Sequence, residues 1–143
     1  MSKAVENLLE ALQFAMSIRP KVGGFPYLAE ALRKAGITQN IWHLPSCQSV
    51  YLTEHGSVVS QGTPLVNTTV DVPPFDRGAL VKALRMDQAG QSNFLEFLKA
   101  SWEAGVVSYT VDFEKRVVTY YGVLGESYLE NYPAVEIDEK VAR

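Results

Sequence analysis

The chain has 143 residues, 47% of them apolar and 20% charged, with one cysteine and a formal charge of −3. A chain of this length buries roughly 70% of the surface its unfolded form exposes, and its composition excludes collagen-like, disordered and disulfide-framework classes. Thirteen Lys and Arg against sixteen Asp and Glu make no basic field for nucleic acid or anionic lipid. No apolar run approaches the roughly 18 residues of a membrane span, and Glu6 and Glu10 interrupt the N-terminal apolar positions at helical spacing rather than leaving a signal sequence. The expectation is one soluble cytoplasmic domain over 1–143.

Val5, Leu8, Leu9, Leu12 and Met16 fall on one face of a helix running from about Lys3 to Ile18, with Ser2 as N-cap. Pro20 and Gly23-Gly24 break the chain, and a second helix follows with Pro26 at its first position and Gly36 past its end. Its inward stripe is Phe25, Leu28, Ala29, Leu32 and Ala35. The chain then turns to Val, Thr and Tyr. Ile37–Leu44, Ser49–Glu54 and Ser57–Gln61 read as strands, the last two joined by a His55-Gly56 turn. Thr63–Val72 is extended or looped, and Pro73-Pro74 closes it.

Asp76 caps a third helix over Arg77 to Gln88, with Leu80, Val81 and Leu84 inward. Ser92 is expected to cap a fourth, whose stripe is Phe94, Phe97, Leu98 and Trp102 and which ends at Gly105. Val107, Tyr109 and Val111 alternate with polar residues as a half-buried strand, and Val117–Tyr121 and Ser127–Glu130 complete a three-stranded meander. The charged tail 136–143 is expected to fray. Phe25–Ile37 and Phe94–Val106 align at one constant offset, so a helix-helix-meander duplication, with halves 1–72 and 73–135, is one reading. The other is that helix–Gly–strand is a common junction. Either way the order predicts an α+β fold, two helix pairs packed on antiparallel sheet.

Candidate chemistry is sparse. Cys47 lies four residues from His43, and a cysteine nucleophile needs such a base to hold it as thiolate. No oxyanion hole or orienting carboxylate accompanies the pair at recognisable spacing, and a lone cysteine is more often a small core residue. No HxxxH, HExxH or CxxC spacing exists for a metal, and Arg19–Gly24 lacks any phosphate-loop pattern. No cofactor is therefore expected. The C-terminal tyrosines resemble a base-stacking platform only superficially, since the segment from Asp76 onward holds 11 acids against 8 bases.

The informative anomaly is a gap in charge. Ile37 through Phe75 contains no Lys or Arg and only Glu54 and Asp71 as acids. Exposed edge strands ordinarily carry charge that discourages pairing with another chain. Strands without it are interior, covered by helices, or engaged with a partner. The leading expectation is a non-catalytic interaction domain forming a homodimer, with Trp42, Tyr51 and Val59 as anchors. The alternative is a small enzyme or ligand binder with a pocket near His43, Cys47, Tyr51 and the Pro73–Asp76 turn.

Arg19-Pro-Lys-Val-Gly-Gly-Phe-Pro-Tyr27, Leu44-Pro-Ser-Cys-Gln-Ser49, Val72-Pro-Pro-Phe-Asp76 and Asp112-Phe…Val-Thr-Tyr-Tyr-Gly122 together resemble a bacterial and prophage-encoded family of small uncharacterised proteins. Some of its members carry the label phage envelope protein. The resemblance implies no activity, cofactor or catalytic residue to transfer. An envelope component of a membrane would show a spanning or basic amphipathic segment, and this sequence has neither.

Overall fold

The computed structural model describes residues 1–137, so the charged tail lies, for 138–143, outside the described residues. Ser2 Oγ accepts from the Val5 N–H (3.2 Å) and starts α1 (Lys3–Ile18). α2 (Phe25–Lys34) follows, with Pro26 in its first turn and Arg33 and Lys34 in its last. Three strands succeed it: β1 (Ile37–His43), β2 (Gln48–Thr53) and β3 (Val58–Gln61). Asp76 Oδ1 accepts from the Ala79 N–H (3.0 Å) and opens α3 (Arg77–Gln88). α4 (Phe94–Glu103) leads into β4 (Val106–Asp112), β5 (Val117–Gly122) and β6 (Ser127–Asn131). The protein is α+β, with its helices packed on a six-stranded antiparallel sheet of order β3-β2-β1-β4-β5-β6. None of the described helices is long and apolar enough to cross a membrane.

The second set of elements recurs at an offset of 69 residues: Phe25 and Phe94 open α2 and α4, Ile37 and Val106 open β1 and β4. Gln48 and Val117 open β2 and β5, and Val58 and Ser127 open β3 and β6. Two pairs of left-handed backbone positions obey the same offset. Gly36 and Gly105 end their helices at φ 88 and 87, and Cys47 and Arg116 end their turns at φ 59 and 56. Helix anchors match too. Asn7 Nδ2 donates to the Ala35 carbonyl (2.8 Å), and the backbone N–H of Asp76 donates to the Ala104 carbonyl (2.7 Å). The correspondence legible between two short segments thus runs through both meanders, which meet where β1 pairs β4.

The core lies between the helices and one face of the sheet. Leu8, Leu32, Ile37, Leu80, Leu84, Phe97, Leu98, Val106, Val111 and Phe113 are buried together there. Across the strands of that face runs an aromatic row, Trp42–Tyr109–Tyr120–Tyr128. Trp42 stacks on Tyr109 at 6.1 Å, and Tyr109 and Tyr120 have centroids 5.6 Å apart. Arg77 of α3 sits 5.0 Å over the Tyr128 ring, and Arg85 pairs with Glu130 at 2.8 Å, fixing α3 to β6.

Several expectations are corrected locally. α1 buries Ala4, Leu8, Ala11 and Ala15, while Leu9 and Met16 face solvent; the small residues allow close approach to α2, so the buried stripe is rotated from the most apolar one. The N-cap of α4 is Asn93 rather than Ser92, because Glu96 three residues on completes a capping box with it. The two-residue turn expected at His55-Gly56 opens into Glu54–Ser57. There Thr53 Oγ accepts from the His55 N–H (3.0 Å) and donates to the Gly56 carbonyl (2.6 Å).

Candidate functional site: the open face of the sheet

A β-strand alternates its side chains between two faces, so a sheet covered by helices on one side leaves the other to water. The open side here is not polar. Its central row crosses all six strands as Val59–Val50–Ile41–Thr110–Thr119–Leu129. Leu52, Val117 and Tyr121 flank that row, and Val59 and Leu129 are 62% and 54% exposed. None of Ile41, Val50, Leu52 and Val117 belongs to the core or packs against it.

The polar members of this face are mostly uncharged: Gln39, Gln48, Gln61, Ser108 and Ser127. Asp112 carries the one strand carboxylate, and it is engaged, since its Oδ1 accepts from the N–H groups of Glu114 and Lys115 (both 3.0 Å) in the β4–β5 turn. Astride the central row the face dips into a shallow hollow of about 310 Å³, lined from β1 across to β6 by Gln39, Thr110, Asp112, Lys115, Val117, Thr119, Tyr121 and Leu129. Depletion of charge with retained apolar and aromatic surface is the composition of an interface core.

The residues singled out from sequence scatter relative to this face. Val59 lies on it. Trp42 points to the helix side, edge-on to Phe94 of α4 at 5.2 Å, and is half-buried. Tyr51 is buried in the core, where burial pushes its phenol pKa up. His43 lies in the open-face row with Ser108 and Tyr121. Cys47 is buried among core residues, and burial pushes its thiol up. Its backbone N–H donates to the His43 carbonyl (2.9 Å), so the two residues meet through the main chain. Gly62 and Leu65 cover the turn by donating to the Cys47 and Pro45 carbonyls (2.8 and 2.7 Å). The Pro73–Asp76 turn lies elsewhere, against Gly105 and Gly122.

No group of three or more His, Cys, Asp and Glu able to hold a metal exists among the described residues. A larger open groove of about 730 Å³ runs between α1, α2 and the Glu54–Ser57 turn, with Ala11, Ala31 and Ala35 along its floor. Sequence reasoning missed most of the open face, namely Ile41, Val50, Leu52, Thr110, Val117, Thr119, Tyr121 and Leu129. The signal was present in Val50-Tyr51-Leu52 and Val117-Val118-Thr119-Tyr120-Tyr121. A strand that is apolar at successive positions has two faces to cover.

The family model described as Protein of unknown function (DUF1398) matches residues 15–131. The chain is also 52% identical over 136 residues to Uncharacterized protein Mb2035 of Mycobacterium bovis, covering 95% of this chain and 83% of that one. Uncharacterized proteins MT2067 and Rv2012 of Mycobacterium tuberculosis match with the same identity and coverage. These relatives are bacterial, and their names make no mention of phage.

Proposed function

We propose that this chain, which belongs to the family Protein of unknown function (DUF1398), is a non-catalytic protein-interaction domain that self-associates through the open face of its sheet. The observation carrying the reading is the central row Val59–Val50–Ile41–Thr110–Thr119–Leu129, an apolar and hydroxyl stripe that crosses all six strands without a charged residue in it. Six strands about 4.8 Å apart and about five residues deep make a plane of about 500 Å². With side-chain relief this is of the order of the roughly 800 Å² that each partner of a standard interface contributes. A second copy presents the same uncharged surface, so apolar rows meet without stranding an ionised group. Two such sheets stack in the manner of a β-sandwich, about 10 Å apart.

The reading widens the sequence expectation, which confined the contact to Ile37–Phe75, because the second meander supplies half of the surface. It places the protein in the cytoplasm, in keeping with a single free cysteine. The prophage association rests on the family resemblance alone. Sedimentation velocity from 5 to 500 μM tests the proposal. A dimer is expected, dissociated by Val50→Lys with an unchanged circular dichroism spectrum. A wild-type monomer throughout that range overturns it.

A further inference from the structure

The internal repeat supplies its own comparison for the groove between α1, α2 and the Glu54–Ser57 turn. At the 69-residue offset Ala31 and Ala35 correspond to Ala100 and Ala104, so half of the floor is the same in both halves. The helix beside it differs. Ala11 and Phe14 of α1 stand where α3 has Leu80 and Ala83. Leu80 is fully buried, whereas the smaller Ala11 leaves an open trough with the half-buried Phe14 ring beside it. α1 also has 16 residues against 12 in α3, which makes its wall about one turn longer. The rim differs most: Glu10, Gln13, Glu54 and His55 occupy the places of Ala79, Lys82, Val123 and Leu124.

We propose that this groove, which is separate from the open face of the sheet, binds a small zwitterion of dipeptide size with an aliphatic side chain. Its charges are of both signs and are not spent on one another. Among the described residues neither Glu10 of α1 nor Lys34 of α2 has an ion-pair partner, and the Glu54 carboxylate meets only the His55 imidazole, at 3.5 Å. A phosphate would face two carboxylates against one ammonium, and a simple amine would be opposed by Lys34. A molecule with an ammonium and a carboxylate answers both, the ammonium toward Glu10 and the carboxylate toward Lys34. The Gln13 side-chain amide offers donor and acceptor together, the complement of the peptide unit that joins those two ends. The Ala11, Ala31 and Ala35 methyl groups and the Phe14 ring take the aliphatic side chain. A groove of about 730 Å³ is within the roughly 300–1,000 Å³ of small-molecule sites. Because its charged groups stay in water, the dissociation constant is about 1 mM.

The test is an NMR titration of ¹⁵N-labelled protein with leucyl-alanine, with its C-terminal amide and with its N-acetyl form. Saturable shifts are expected at the amides of Ala11, Ala31, Ala35 and Glu54, with the zwitterion bound about threefold more tightly than either singly charged analogue. Glu10→Gln is expected to cut the preference over the N-acetyl form, and Lys34→Met the preference over the amide. Both side chains are exposed, so each variant keeps its fold, as circular dichroism checks. Shifts that do not saturate by about 20 mM, that centre outside the groove, or that are equal for the three compounds overturn the proposal. Selectivity left unchanged by either substitution overturns it too.

Discussion

Ile41 and Thr110 lie directly opposite one another on the two central strands, and they are also separated by the 69-residue offset that relates the two halves. The internal two-fold therefore passes between them, through the middle of the open face. Each is the other's counterpart and neighbour, yet one is apolar and the other carries a hydroxyl. Thr110→Val makes the centre of the row wholly apolar. Self-association is expected to tighten severalfold, with fold stability changed by less than about 1 kcal/mol. Sedimentation equilibrium measures the first and urea unfolding of the monomer the second.

Cys47 and His43 share a turn but not a site. Burial raises the Cys47 thiol, and its neighbours in the core are apolar. A mild alkylating agent at neutral pH is expected to modify Cys47 slowly in the native protein and fast in urea, with His43→Ala leaving the native rate unchanged. Rapid native modification that His43→Ala slows would restore the nucleophile reading.

Glu30 of α2 is buried and held by the Arg33 fork at 2.8 and 2.9 Å, with Arg116 at 3.9 Å. The Arg33 hydrogen bonds keep its carboxyl below the usual range, against the opposing effect of burial. A depressed folded pKa adds stability that is present above the unfolded value near 4.5 and is lost as pH falls through the folded value. Glu30→Ala is expected to destabilise by about 1–2 kcal/mol at pH 7. Glu30→Gln should flatten the acid limb of stability below pH 4.5, as read by chemical denaturation from pH 7 to 2.

Gly36 and Gly105 occupy equivalent left-handed positions but meet different neighbours. A Cβ at Gly36 would press on the flexible Glu54 side chain, whereas one at Gly105 would meet the Pro74 carbonyl and the Phe75 backbone. Gly36→Ala is expected to cost about 1–2 kcal/mol from backbone strain alone. Gly105→Ala should cost more, because main chain must move. Thermal melts that rank the two in the opposite order would contradict this account.

The elements were legible because their signals are local. Asp76 and Ser2 cap the helices they were expected to cap, and Gly36 and Gly105 stop α2 and α4 where the turn requires a positive φ. The anchors were less legible. Trp42 and Tyr51 are large and aromatic, but alternation along β1 and β2 sends both to the helix side, and which side the helices take is not written in either strand. Asn93 displaced Ser92 for a similarly relational reason, the reach of Glu96.

By itself, the sequence determined the α+β class, the order helix-helix-meander twice over, and the absence of Lys and Arg from Ile37 to Phe75, since periodicity, capping and composition act within a few residues. Only the tertiary structure decided that β1 pairs β4, and hence that Val59, Val50 and Ile41 continue into Thr110, Thr119 and Leu129 as one uncovered face. Strand pairing joins residues far apart in the chain, and a surface exists only once that register is chosen.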